Sequence, residues 1–192
     1  MIIYNSALKH INSNYTVMPC SFYKQDNNIA FYHDLLLNQF PHHFNQCDFF
    51  YTETPYPKGF KTFNKNYNSS NNKTYNDLAD NLINIIKLKK PIYLTLGKTL
   101  LKKLPEPNGQ KDILQNNDIV IIAWWNTEIL PQGDNTNQIC KNFNLVYKCI
   151  GDFMCGFGQS VFDFLEYNNS FVASDFDKNC IGIIKHRLQG KS

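Results

Sequence analysis

Leu145–Leu188 constrains this chain more than any other stretch. It reads LVYKCIGDFMCGFGQSVFDFLEYNNSFVASDFDKNCIGIIKHRL. The short apolar run Leu145–Ile150, bounded by Gly151 and closed by Asp152, predicts a buried strand. Gly156 and Gly158 then form a turn that tolerates positive φ and, lacking Cβ atoms, lets backbone approach a ligand closely. A helix follows over Gln159–Tyr167, with Val161, Phe162 and Leu165 on one face. The run Phe171-Val172-Ala173 predicts a second strand ending at Asp175, and Asp177 is placed to cap a last helix that turns Ile181, Ile184 and Leu188 inward. This is one β-α-β unit with an acid at the end of each strand. The spacing suits a nucleotide-type ligand, with phosphate-like or charged groups at the helix N-terminus and ribose hydroxyls at an acid about twenty residues beyond the glycines. A plain Gly-x-Gly turn, with Asp175 merely capping, would produce the same letters.

Upstream, strands and helices continue to alternate, which predicts an α/β domain with a mostly parallel sheet. Met1–Tyr4 reads as a short strand, and Leu8 and Ile11 as a helical turn. Tyr15–Gln25 has no clear period. Asn28–Phe40 reads as a helix stopped by Pro41, with His42-His43 at the break. Asp48–Thr52 reads as a strand ending in the polar turn Glu53-Thr54-Pro55-Tyr56-Pro57-Lys58-Gly59. Phe60–Lys73 is rich in Asn, with lysines and aromatics, and reads as a loop. Thr74-Tyr75-Asn76-Asp77 has the form of a capping box. It is followed by a helical face of Leu78, Ala79, Leu82, Ile83 and Ile86 and a stop at Pro91. Ile92–Leu96 reads as a strand, Lys98–Leu104 as a helical turn, and Asp118–Trp125 as a central strand. On that strand Trp124 and Trp125 face opposite ways, one in the core and one partly exposed. Pro131–Asn137 is a loop and Ile139–Phe143 a short helix. No repeat or second domain is visible. The 192 residues read as one domain, with a catalytic-motif half over about 1–130 and a cofactor half over about 131–192.

Asp152-Phe153-Met154-Cys155-Gly156-Phe157-Gly158 resembles the Asp-Pro-Phe-x-Gly-x-Gly motif of S-adenosylmethionine-dependent DNA amino-methyltransferases. Phe171–Asp177 is similar to the Phe-Ile-Gly-x-Glu-x-Asp segment of that family, and Lys185-His186-Arg187-Leu188 matches its Lys-x-Arg-Leu helix end. Glu53-Thr54-Pro55-Tyr56 resembles the family's catalytic Asp-Pro-Pro-Tyr. Its position upstream of the glycines is the order of the permuted class. The resemblance implies a Rossmann-like class I methyltransferase fold with helices on both faces and circularly permuted motif order. It also implies S-adenosylmethionine as cofactor, held by Asp152 at its methionine end, by Asp175 at the ribose, and by Asn5, Met154, Gly156, Gly158 and Phe176.

The acceptor implied is an exocyclic amino group of a base, N6 of adenine foremost, in DNA in preference to RNA. Such an amine is a poor nucleophile because its lone pair is delocalised into the ring. Hydrogen bonds to the Glu53 carboxylate and the Thr54 carbonyl would favour its attacking form, Pro55 would keep the turn rigid, and Tyr56 would stack on the extruded base. The sequence departs from the family at Glu53 (Asp), Thr54 (Pro), Phe153 (Pro) and Gln159 (Thr). A non-catalytic relative that binds cofactor or a partner chain fits those departures, and methylation of RNA or protein keeps the same cofactor site. The short chain also leaves room for a partner subunit in target recognition.

A net charge of +3 is too small to argue nucleic-acid binding alone. The six cysteines form no C-x-x-C pair and no zinc pattern with histidine, so no metal is expected and the thiols suit a cytoplasmic protein. No run approaches the length of a membrane span, and the N-terminus does not read as a signal peptide.

Overall fold

The computed structural model describes residues 18–36, 39–55, 74–115, 118–165 and 169–190. Asn5 and Tyr56, the expected strand at Met1–Tyr4 and the expected loop at Phe60–Lys73 lie outside them. The described strands are β1 (Phe22–Gln25), β2 (Asn28–Tyr32), β3 (Phe49–Glu53), β4 (Ile92–Leu96), β5 (Gly109–Gln115), β6 (Asp118–Trp125), β7 (Cys149–Asp152) and β8 (Ser170–Asp175). They form one sheet in the order β1-β2-β8-β7-β3-β4-β6-β5. The five central strands, β2 to β4, run parallel; β1 at one edge and β6 and β5 at the other are antiparallel. The described helices are α1 (Tyr75–Ile86), α2 (Lys98–Leu101), α3 (Thr136–Phe143), α4 (Gln159–Phe164) and α5 (Lys178–Gln189), with a 3-10 turn at His42–Gln46.

Two apolar layers cover the sheet. On one face Phe50, Ile92, Leu94 and Val172 pack under α1 and α2 through Leu78, Leu82, Ile85 and Leu100. On the other, Phe49, Tyr93, Ile150 and Phe171 pack under α3, α4 and α5 through Ile139, Phe143, Val161, Ile181 and Ile184. α1 forms where expected: Thr74 caps it, accepting from the Asn76 and Asp77 amides, and Asp77 bonds back to the Thr74 amide. Asp177 caps α5 by accepting from Asn179 N–H. The outcome is a Rossmann-like α/β domain with helices on both faces of a mostly parallel sheet.

Several elements differ from the sequence reading. Asn28–Phe40 opens with a strand, β2, and not a helix. Ile29 and Phe31 join one apolar layer and Ala30 the other. A strand buried on both faces shows no alternation, and over so few residues its apolar run cannot be told from a helix. β1 emerges from a segment with no period, joined to β2 by a turn with Asp26 at φ 53°. β7 starts at Cys149, four residues later than expected; Leu145 and Val146 are exposed and end the turn after α3. Ile83 on α1 is only half-buried, with Ile85 taking the inward place. β6 is the penultimate strand, because β5 pairs beyond it. Trp124 and Trp125 do face opposite ways, but both are buried, one in each layer.

Candidate functional site

From β7 the chain crosses by α4 to β8 on one side. From β3 it crosses by α1 to β4 on the other. β7 and β3 are neighbours, so the sheet reverses its winding between them. Crevices at such a reversal, outside the carboxyl ends of the strands, are where open α/β sheets hold ligands. The residues at that point are Asp152 and Glu53.

Asp152 is 1% exposed. It accepts from Thr52 Oγ1 at 2.6 Å, from Ser160 Oγ, and from Met154 N at 3.2 Å. Burial pushes its pKa up to about 6, with the Ser160, Thr52 and Met154 donors pulling the other way. The Thr52 bond joins the two strand ends across a separation of 100 residues.

Asp175 ends β8, next to β7, and is 5% exposed. One carboxylate oxygen accepts from Gly156 N and the other from Asp177 N, each at 2.9 Å. Burial again pushes its pKa up, to about 7. The glycine turn is bound to β8 at further points: Cys155 N–H donates to the Ser174 carbonyl at 3.0 Å, and Gly158 N–H closes on the Cys155 carbonyl at 2.8 Å.

The two glycines differ in what they allow. At Gly156, φ +50°, a Cβ would meet nothing within 4 Å, so the backbone faces open space. At Gly158, φ +77°, a Cβ would stand 2.9 Å from Ile184, so this glycine serves helix packing. Phe153, where the resembled motif has Pro, is 1% exposed and sits edge-on to Phe40, Phe44 and Phe50. The departure therefore fills core. Met154 is half-buried beside the same layer, and Phe176 is half-buried after Asp175.

Glu53 ends β3. Water reaches it. Protein packed around its carboxyl, and then the charges of Asp152 and Asp163, nonetheless push its pKa up to about 7, while the Gln115 side chain at the end of β5 pulls it down. Thr54 is buried; its N–H and hydroxyl both donate to the Thr95 carbonyl of β4, at 2.9 and 3.1 Å. The Pro55 carbonyl accepts from Tyr75 OH at 3.0 Å. The turn after β3 is thus tied to β4 and to the first residue of α1.

The structure brings Asp152, Met154, Gly156, Asp175, Phe176, Glu53, Thr54 and Pro55 to the carboxyl edge of adjacent strands. Gly158 supports them from below. Sequence reading missed Thr52, Ser160, Asp163 and Tyr75, whose partners are distant or on the next helix turn. It also missed His33, which follows β2, donates its N–H to the Asp175 carbonyl at 2.9 Å and keeps a buried Nε2 without a partner. Among the described residues no cluster of three or more His, Cys, Asp or Glu is placed to hold a metal ion, and no helix is long and apolar enough to cross a membrane.

The fold is a Rossmann-like α/β domain of the methyltransferase type, with acids at the ends of neighbouring strands. The chain is similar to the crystal structure of M1.HpyAVI, with a TM-score of 0.51, 12% identity, and coverage of 83% of this chain and 97% of that one. It is also similar to the M1.HpyAVI–SAM complex, with a TM-score of 0.53, 10% identity, and coverage of 83% and 98%. No family model and no curated protein sequence matches it.

Proposed function

We propose that this chain transfers a methyl group from S-adenosylmethionine to an exocyclic amino group of a nucleic-acid base, N6 of adenine in DNA. The observation that carries the reading is the juxtaposition of Glu53 and Asp152, joined through Thr52, at the point where the sheet reverses. The similarity to a protein solved with SAM supports the choice of cofactor. The residues fit that group: Gly156 faces open space, and two buried carboxylates end the strands on either side of its turn.

When bound, S-adenosylmethionine supplies an electrophilic methyl group on a sulfonium centre. Asp152 meets the cationic methionine end, which favours its ionised form. Asp175 holds the ribose while keeping its backbone donors, since each carboxylate oxygen accepts more than one hydrogen bond. Met154 and Phe176 line the same side. Glu53 and the Thr54 carbonyl accept the two amino hydrogens of the base and orient its nitrogen lone pair. Pro55 and Tyr75 keep that turn still, and the resemblance gives Tyr56 the role of stacking on the base. That β3 precedes β7 in the chain supports the permuted motif order of this reading. The six thiols, all unbridged, suit a cytoplasmic setting, and the domain leaves target recognition open to a partner subunit.

A second reading, a non-catalytic relative, draws on Glu53. Burial, and then the charges of Asp152 and Asp163, push the pKa of this carboxyl up to about 7, and a protonated carboxyl is a poorer acceptor. The test is incubation of unmethylated DNA and RNA with methyl-labelled S-adenosylmethionine, followed by digestion to nucleosides. Label on N6-methyladenine from DNA, absent with Glu53→Ala, is the expected result. Cofactor binding by titration without label on any acceptor would favour the second reading. No binding at near-millimolar cofactor would overturn the methyltransferase reading and leave a relative that binds a partner chain.

A further inference from the structure

We propose that Arg187, the one arginine in the chain, is a positioning residue that clamps the Gly156–Gly158 turn from α5. The inference rests on the cofactor reading of that turn. Its guanidinium donates from Nη1 to the Phe157 carbonyl at 2.8 Å and lies 3.8 Å from the centroid of the Phe162 ring. One planar group therefore holds the middle of the turn and the face of α4 at once. This geometry suits arginine and not lysine, because the flat guanidinium stacks on a ring while its edge donates. Burial lowers the pKa of Arg187, and the nearby Asp163 offsets this, so the cation keeps a counter-charge on α4.

The turn needs such a clamp. Gly156 and Gly158 both hold positive φ, and glycine gives up more chain entropy on ordering than other residues. Asp175 fixes the Gly156 amide from the β8 side, and Cys155 N–H is fixed on Ser174. Phe157 lies between the two glycines and is anchored by its carbonyl to Arg187. Without that bond the open face at Gly156 is no longer presented in one conformation.

The experiment has two arms on the full chain. The first is hydrogen exchange without cofactor, comparing the parent with Arg187→Ala, Arg187→Lys and Leu188→Ala. Leu188 is a buried core residue one position along α5, and its truncation destabilises the helix without touching the turn. Arg187→Ala should deprotect the Gly158 amide, which closes the turn on Cys155, while Leu188→Ala raises exchange along α5 and leaves the turn unchanged. The second arm is titration with S-adenosylmethionine at a temperature where all variants are folded. Arg187→Ala should weaken binding roughly tenfold, Arg187→Lys less, and Leu188→Ala hardly at all. Unchanged protection at Gly158 in Arg187→Ala would overturn the clamp, as would equal losses of affinity in Arg187→Ala and Leu188→Ala. A parent that binds no cofactor would overturn the cofactor reading, while the exchange arm would still decide the clamp.

Discussion

Glu53 sits where two demands conflict. Its ionised form is the better acceptor for an amino group, yet its surroundings and the charges of Asp152 and Asp163 resist ionisation. The rate of methyl transfer should therefore climb as pH rises through about 7, in a profile taken at saturating cofactor. Glu53→Gln keeps the shape and removes the charge. It should abolish transfer, leave cofactor affinity intact, and raise the melting temperature at pH 8 but not at pH 5, where Glu53 is already protonated. A melting temperature that falls at pH 8 would show that the crowding is not felt. The two glycines separate in the same way. Gly156→Ala places a β-carbon in open space at the cost of a left-handed backbone, roughly 1–2 kcal/mol, and should weaken cofactor binding more than folding. Gly158→Ala adds a collision with Ile184, for about 1–3 kcal/mol more, and should show chiefly in denaturant unfolding.

At the scale of elements, α1 does more than cover the sheet. Its first residue reaches the turn after β3 through the Tyr75 hydroxyl on the Pro55 carbonyl. Tyr75→Phe should lower kcat several-fold with cofactor affinity unchanged, and Thr74→Ala should cost about 1 kcal/mol of stability by removing the cap. A Tyr75→Phe enzyme with parental kcat would cut this link between helix and turn. α1 was readable because a capping box and a one-sided apolar stripe are local signals. The same holds for α4, β8 and α5, whose turn and cap letters are adjacent in sequence. β2 was misread because both its faces are buried, and β5 was missed because its polar residues Gln110, Lys111 and Asp112 take a strand's shape only from pairing with β6. The site was half legible for the same reason. Asp152, Gly156 and Asp175 announce themselves by spacing, whereas the Thr52–Asp152 bond exists only once the sheet has assembled.

On the scale of the whole molecule, three strand-end acids carry raised pKa values: about 7 for Glu53, about 6 for Asp152 and about 7 for Asp175. Unfolded, they titrate near 4. Between these limits the folded chain binds more protons than the unfolded one, so stability falls as pH rises. Their contribution is full below about pH 4 and lost as pH passes through 6 to 7. Without cofactor, the melting temperature should be higher at pH 5 than at pH 8. A bound cation beside Asp152 should narrow that gap, because ligand that prefers the folded, ionised form stabilises it. Differential scanning calorimetry at both pH values, with and without S-adenosylmethionine, measures both effects, and a flat profile without cofactor would show that burial does not raise these acids.

The strand order carries a further consequence, for how the molecule is made. A chain leaves the ribosome from its N-terminus. β1 to β6 are therefore complete while β7 and β8, which lie between β2 and β3 in the sheet, are still unsynthesised. Until then the nascent protein is two partial sheets with facing unpaired edges, and each edge is open to association with another chain. The missing planks arrive last and in the middle, so closure of the sheet and assembly of the site are one late event. A chain cut short before Cys149 would keep the turn after β3 and most of its apolar surface, yet it would have no way to bring the two edges together.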